Sequence, residues 1–195
     1  MTFDEIKRRL SDKVVGIAGA GGLGSNCAVA LARVGVGKLI VADFDVVSES
    51  NLNRQYFFQS QIGQKKVEAL KDNIIAINPK VIVETYDIKL DPGSIVRLFA
   101  DCDVIVEAFD LAGMKKMIIE TVLDELPEKP LVTGLGMAGW GDSNSIGFRQ
   151  EGNLYICGDE KSEISEDNPP LAPRVGIVAN MQANVVLEIL LGVGD

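Results

Sequence analysis

Apolar residues along the chain follow two periods, and the alternation between them is the first structural signal. Val14 to Ala18 (VVGIA), Lys38 to Ala42, Val81 to Thr85, Asp103 to Ala108 (DVIVEA) and Pro130 to Gly134 are short β-branched or aliphatic runs of strand length. Between them lie longer stretches with helical spacing: Leu23 to Val34, Gly63 to Ile77, Pro92 to Phe99 and Leu111 to Leu123. In Gly63 to Ile77 the apolar positions are Val67, Leu70, Ile74 and Ile77, and Asn78-Pro79 closes the helix. Phe3 to Leu10 reads as a short charged helix, and Val175 to Leu191 as a strongly apolar one. Residues 145–149 and 153–157 flank Gln150-Glu151-Gly152 and read as a hairpin. Two connections stand out: the polar stretch Phe44 to Ile62, and the acidic, proline-containing stretch Glu160 to Pro173, expected to be a mobile loop. Strands alternating with helices predict an α/β fold with a doubly wound, mainly parallel sheet and a short antiparallel C-terminal hairpin, in one domain over residues 1–195.

Composition narrows the chemistry. Hydrophobic residues make up 47% of the chain, which excludes a disordered polymer. The net charge of −9 argues against a nucleic-acid partner, because phosphate backbones are repelled. With no His, histidine triads and histidine metal sites are excluded, so catalysis falls to carboxylates, Lys, Arg, Cys, backbone amides or a bound cation. Cys27, Cys102 and Cys157 form no CxxC pair, so no zinc is expected. Odd cysteine usage and the lack of a signal peptide predict a reducing cytoplasm, and no apolar run reaches the roughly 18 residues of a membrane span.

The segment Gly19-Ala20-Gly21-Gly22-Leu23-Gly24 places GxGxxG between a predicted strand and a predicted helix, the arrangement of a Rossmann-like nucleotide site. Gly19 permits the turn, Gly21 lets backbone approach a phosphate, and Gly24 lets helix and strand pack closely. Asp43 follows Gly24 by 19 residues, at the end of the second strand, where a ribose hydroxyl would sit. These features alone fit an NAD-dependent oxidoreductase equally well. The arm after Asp43 carries Arg54, and Lys66 lies near the start of a helix, where the dipole disfavours a cation unless an anion also binds. Both residues suit a polyphosphate, and both also suit a solvated surface.

The motifs GAGGLGS (19–25), DFDVVSESNLNRQ (43–55), GQKKVEAL (63–70) and INP (77–79), with Asp110 beyond DVIVEA, resemble the ThiF/MoeB/HesA family of bacterial ubiquitin-activating-enzyme relatives. The resemblance runs from about Asp12 to Gly192, and YICGDE and APRVGI (155–160 and 172–177) are most similar to the family's short thiamine-biosynthesis form. It implies an ATP- and Mg²⁺-dependent adenylyltransferase acting on a small ubiquitin-like sulfur carrier (ThiS-like) ending in Gly-Gly, and a homodimer. Asp43 would hold the ribose, with Asp45 and Gly19, Gly21, Gly22 and Gly24 also on the nucleotide. Asn51, Arg54 and Lys66 would bind the triphosphate, with Gln55 close by, and Asp110 would hold Mg²⁺. As a bare sequence feature, Asp110 also fits an N-cap for the helix at Leu111. Other activities in the family, molybdopterin-synthase carrier activation and tRNA threonylcarbamoyladenosine dehydration, stay open beside the thiamine reading, as does a non-catalytic scaffold.

The chain departs from the family pattern in places. Relatives with a longer N-terminal extension place an Arg on the partner subunit's phosphates; here only Lys7, Arg8 and Arg9 are available for that, and a solvated helix face is their other reading. Leu111 stands where Asn is frequent. Cys157 is the one candidate for a covalent persulfide link, against a buried inert thiol. Trp140 and the 160–173 stretch are candidates for contact with the carrier tail.

Overall fold

The computed structural model describes residues 1–192. A capped helix, α1 (Phe3–Leu10), leads into β1 (Val14–Ala18), α2 (Gly22–Val34) and β2 (Lys38–Ala42). After the long arm come α3 (Lys66–Ile77), β3 (Ile82–Tyr86), α4 (Pro92–Phe99), β4 (Val104–Glu107), α5 (Ala112–Glu125) and β5 (Leu131–Gly134). The chain finishes with β6 (Gly147–Glu151), β7 (Leu154–Gly158) and α6 (Ala172–Leu191).

The seven strands form one sheet in the order β3-β2-β1-β4-β5-β7-β6. All neighbours are parallel except β6, which pairs antiparallel with β7 at the edge. The hairpin is therefore part of the main sheet: β7 adds to β5, and β6 is left as an exposed rim. Arg149 on that rim bonds Glu160 at 2.7 Å, one of the charges that keep the open edge from pairing with another chain.

Strand residues alternate between two cores, as the period of the β-strand requires. Val15, Ile17, Leu39, Val41, Val104, Val106 and Val132 face the core built with α2, α3 and α6. Ala18, Ile40, Ala42, Ile105 and Leu131 face the core built with α4 and α5. Gly16 has a packing reason: an added Cβ would lie 2.6 Å from the Phe99 ring, which is fully buried.

Three expectations change. The third helix begins at Lys66, not Gly63, because Gly63 sits at φ +88° and Lys65 is extended. The stretch expected to be mobile is irregular but tied down: Gly139 donates to the Pro169 carbonyl at 2.9 Å, and Ala138 to the Ser162 hydroxyl at 3.1 Å. The last helix starts at Ala172, not Val175, with proline in its first turn; length and composition alone would let it cross a membrane, though polar residues interrupt its apolar run. In the fold it is a core helix, packed on α2 with Val178, Ala179 and Val186 buried.

Candidate active site

Strand order reverses between β1 and β4, so the loops leaving their carboxyl ends diverge and leave a crevice. A cleft of about 840 Å³ lies there, with Gly19, Gly21, Gly22, Asp43, Asp45, Arg54, Gln55, Lys66 and Asp110 in its walls. Residues from four separate parts of the sequence thus converge on one cavity.

The floor is the turn between β1 and α2. Gly19 adopts φ +101°, and a Cβ there would come 2.8 Å from the Ala108 carbonyl oxygen. A Cβ on Gly24 would overlap the Gly19 carbonyl, so the start of α2 could not close on β1. Gly21 is different: its Cβ position meets only Gln55, at 3.9 Å, and otherwise opens into the cleft. The α2 amides therefore face open space, the usual place for an anion at a helix N-terminus.

Asp43 ends β2 and braces this turn. One carboxylate oxygen accepts the Ala20 N–H at 2.6 Å, the other the Asp45 N–H at 2.8 Å. Each oxygen retains acceptor capacity for a further donor. Lys66 is 5% exposed and ion-paired to Asp45 at 2.7 Å, which compensates a cation at the N-terminus of α3. Arg54 is held differently, donating to the Ser50 carbonyl at 3.0 Å and the Asn53 side chain at 2.8 Å, with no carboxylate partner among the described residues. Its stem lies over the glycine turn, 3.5 Å from where a Gly22 Cβ would be. Gln55 is buried and its side-chain carbonyl oxygen has no partner among the described residues. Asn51 and Gly24 are the predicted residues that do not line the cleft: the Asn51 side-chain oxygen accepts the Ser48 N–H at 3.0 Å and shapes the arm, and Gly24 packs on the Gly19 carbonyl.

Asp110 lies beyond β4, on the other side of β1 from Arg54 and Lys66. It is exposed and unpaired among the described residues. The N-cap of α5 is Leu111, so the capping alternative for Asp110 is not realised. No cluster of three metal-ligating side chains occurs among the described residues. A lone carboxylate in such a cleft suits Mg²⁺ better than a metal held wholly by protein, because Mg²⁺ takes one or two carboxylates and completes its shell with water and substrate phosphates.

The sequence reading missed two polar devices beside this cleft. Glu107, at the end of β4, is fully buried and bonded to Lys115 of α5 at 2.9 Å. A Glu closing an aliphatic strand was the available signal. Asp159 pairs with Arg174 at 2.5 Å, both 6% exposed, and Arg174 also donates to the Gly141 carbonyl. Burial pushes the Asp159 carboxyl up, but the Ser162 and Lys161 amides and Arg174 outweigh it and hold the group well below the usual carboxylate range.

Other candidates lie elsewhere. Cys157 is fully buried, and burial pushes its thiol up to about 12, the behaviour of an inert core cysteine. Cys102 is raised to about 12 and Cys27 is raised too, both chiefly by burial. Trp140 is 75% exposed and off the cleft wall. Arg8 and Arg9 line a separate depression with Lys13 and Leu190.

Fold and site together define a Rossmann-type nucleotide-binding domain. The chain belongs to the ThiF family, whose pattern it matches over residues 2–195. It is 36% identical over 94% of its length to a probable adenylyltransferase/sulfurtransferase, MoeZ, of Mycobacterium tuberculosis, of which it covers 45%. To the molybdopterin-synthase adenylyltransferase of Escherichia coli it is 30% identical, covering 95% of this chain and 76% of that protein. The fold superposes on the Escherichia coli tRNA N6-threonylcarbamoyladenosine dehydratase TcdA, solved in complex with AMP, with a TM-score of 0.87, 20% identity and coverage of 96% and 90%. The chain spans about half the length or less of several curated relatives, 38% to 47% of those with a sulfurtransferase activity in their names.

Proposed function

We propose that this domain uses ATP and Mg²⁺ to adenylate the C-terminal glycine carboxylate of a small ubiquitin-like sulfur carrier, of the ThiS kind used in thiazole formation. The observation that carries the reading is the arrangement of charge: Arg54 and Lys66 on one side of the glycine turn, and an unpaired Asp110 on the other, in one cleft. An adenylyltransferase needs that arrangement; hydride transfer to a nicotinamide gives the cationic arm no task.

The carrier's carboxylate oxygen attacks the α-phosphorus, the bond to the bridging oxygen breaks, and pyrophosphate leaves with its electron pair. The carboxylate is already ionised at neutral pH, so no general base is required and a chain without His loses nothing. The barrier lies in bringing an anion to a polyanion and in charge on the leaving group. Arg54, Lys66 and the α2 amides supply fixed positive charge for this. Asp110 would hold Mg²⁺, which when bound neutralises phosphate charge. Asp43 would accept from the ribose, and the open side-chain carbonyl of Gln55 supports a hydrogen-bond donor arriving beside the turn. Leu111, Leu135 and Ile164, all exposed and all in the cleft wall, suit an extended, uncharged tail.

The reading includes a homodimer, with exposed positions of α6 such as Ile177 at its surface; sedimentation measures it. ATP–pyrophosphate exchange, with and without carriers ending in Gly-Gly from thiamine and molybdopterin synthesis, tests the rest. Carrier-dependent exchange with the ThiS-like protein is expected. Exchange independent of any carrier, or binding of NAD in preference to ATP, overturns the reading.

A further inference from the structure

We propose that the buried Glu107–Lys115 pair is a positioning device that aims the Asp110 carboxylate at a phosphate-bound cation, an assignment that rests on the ATP- and Mg²⁺-dependent reading above. Asp110 has no side-chain partner among the described residues, so its direction is inherited from the turn between β4 and α5. That turn is clamped at both ends. Glu107 accepts the Phe109 N–H at 2.6 Å, immediately before Asp110. Lys115 reaches back from α5 and donates to both Glu107 oxygens, at 3.0 and 2.9 Å. Its third proton goes to the Gly134 carbonyl at 2.8 Å, and Thr133 donates its hydroxyl to Glu107. From α6, Gln182 donates to the Glu107 carbonyl at 3.0 Å. Four elements thus converge on the turn that presents one unpaired carboxylate.

Stability does not account for the pair. A buried ion pair is often no more stabilising than well-packed apolar residues of similar volume, and Lys115 sits in the N-terminal half of its helix, where the dipole opposes it. A fully hydrogen-bonded pair has one arrangement, whereas an apolar contact tolerates several. It therefore holds a direction, and the direction it holds is that of Asp110.

The test measures how strongly Mg²⁺ and ATP support each other's binding. Isothermal titration of ATP, without carrier, is run with Mg²⁺ and with a chelator, and the ratio of the two affinities is the readout. Three variants are compared: Glu107→Leu/Lys115→Met, Lys115→Arg and Asp110→Asn. The paired apolar replacement leaves no buried charge, and circular dichroism checks its fold. Loss of the pair is expected to lower the ratio about tenfold, as for partners that orient a metal ligand, with chelator-state affinity unchanged. Asp110→Asn should lower it as much or more. A purely structural role would weaken both affinities together and leave the ratio alone, which overturns the proposal. If the double variant fails to fold, Lys115→Arg, which keeps the charge and alters the geometry, decides by the same ratio: lowered supports positioning, unchanged overturns it. If Asp110→Asn itself leaves the ratio unchanged, the Mg²⁺ reading fails; if only the pair variants do, the positioning role fails and that reading stands.

Discussion

The two walls of the cleft are built in opposite ways. The glycine turn between β1 and α2 is made by what is missing: Gly24 and Gly19 leave no room for a Cβ, and Gly21 leaves the amides open. The opposite wall, from Leu135 to Met137 and Ser162 to Ile164, is made by what is added. There Arg174 of α6 ties the Gly141 carbonyl to Asp159, and Asp159 caps the Lys161 and Ser162 amides. The first wall is shaped by glycines close together in sequence, with the Ala108 carbonyl beyond β4 and the Asp43 carboxylate at the end of β2 closing on it. The second exists only once α6 has docked on the sheet. The first wall therefore rests largely on a local glycine pattern, while the wall from Leu135 to Met137 and Ser162 to Ile164 depends on contacts made far away in sequence.

Breaking each wall should separate these roles. The largest effect is expected from Arg174→Leu, which strands the Asp159 carboxylate: about 3–5 kcal/mol lost in urea unfolding. At temperatures where this variant stays folded, ATP binding should survive better than carrier-dependent turnover. Gly24→Ala should cost up to about 3 kcal/mol, since the obstacle is backbone and cannot move aside, and it should abolish nucleotide binding measured by titration. Arg54→Ala should lower pyrophosphate exchange roughly a hundredfold. Its unfolding midpoint should stay at the wild-type value, because its partners belong to its own arm; a matching loss of stability would return Arg54 to a structural role. A smaller effect concerns pH. The Asp159 carboxyl lies lower in the folded chain than in the unfolded one, so its contribution is complete above the unfolded value, near ~3.9, and is lost as pH falls through the folded value. Asp159→Asn should therefore show a shallower acid limb in unfolding midpoint against pH than the wild type.

Much of the first wall was legible in residue order. Glycine spacing, Asp43 at a strand end and the arm through Arg54 and Lys66 are local patterns, and Gly19, Gly21, Gly22, Asp43, Arg54 and Lys66 line the cleft. Asn51 shows the limit, because an amide in a polar arm can face a ligand or its own backbone, and here it accepts the Ser48 N–H. The helix start at Lys66 was misplaced because charge and apolar spacing do not reveal that Gly63 takes a positive φ.

Sequence by itself determined the alternation of strands and helices, the two-sided burial of the strands and the glycine turn, since these follow from side-chain period and from the space a Cβ needs. Tertiary structure decided that β7 joins β5, that Glu107 meets Lys115, and that Asp159 meets Arg174. Those pairings depend on which surfaces are buried together, and a charge in a chain carries no mark of its partner until burial makes leaving it unpaired too costly.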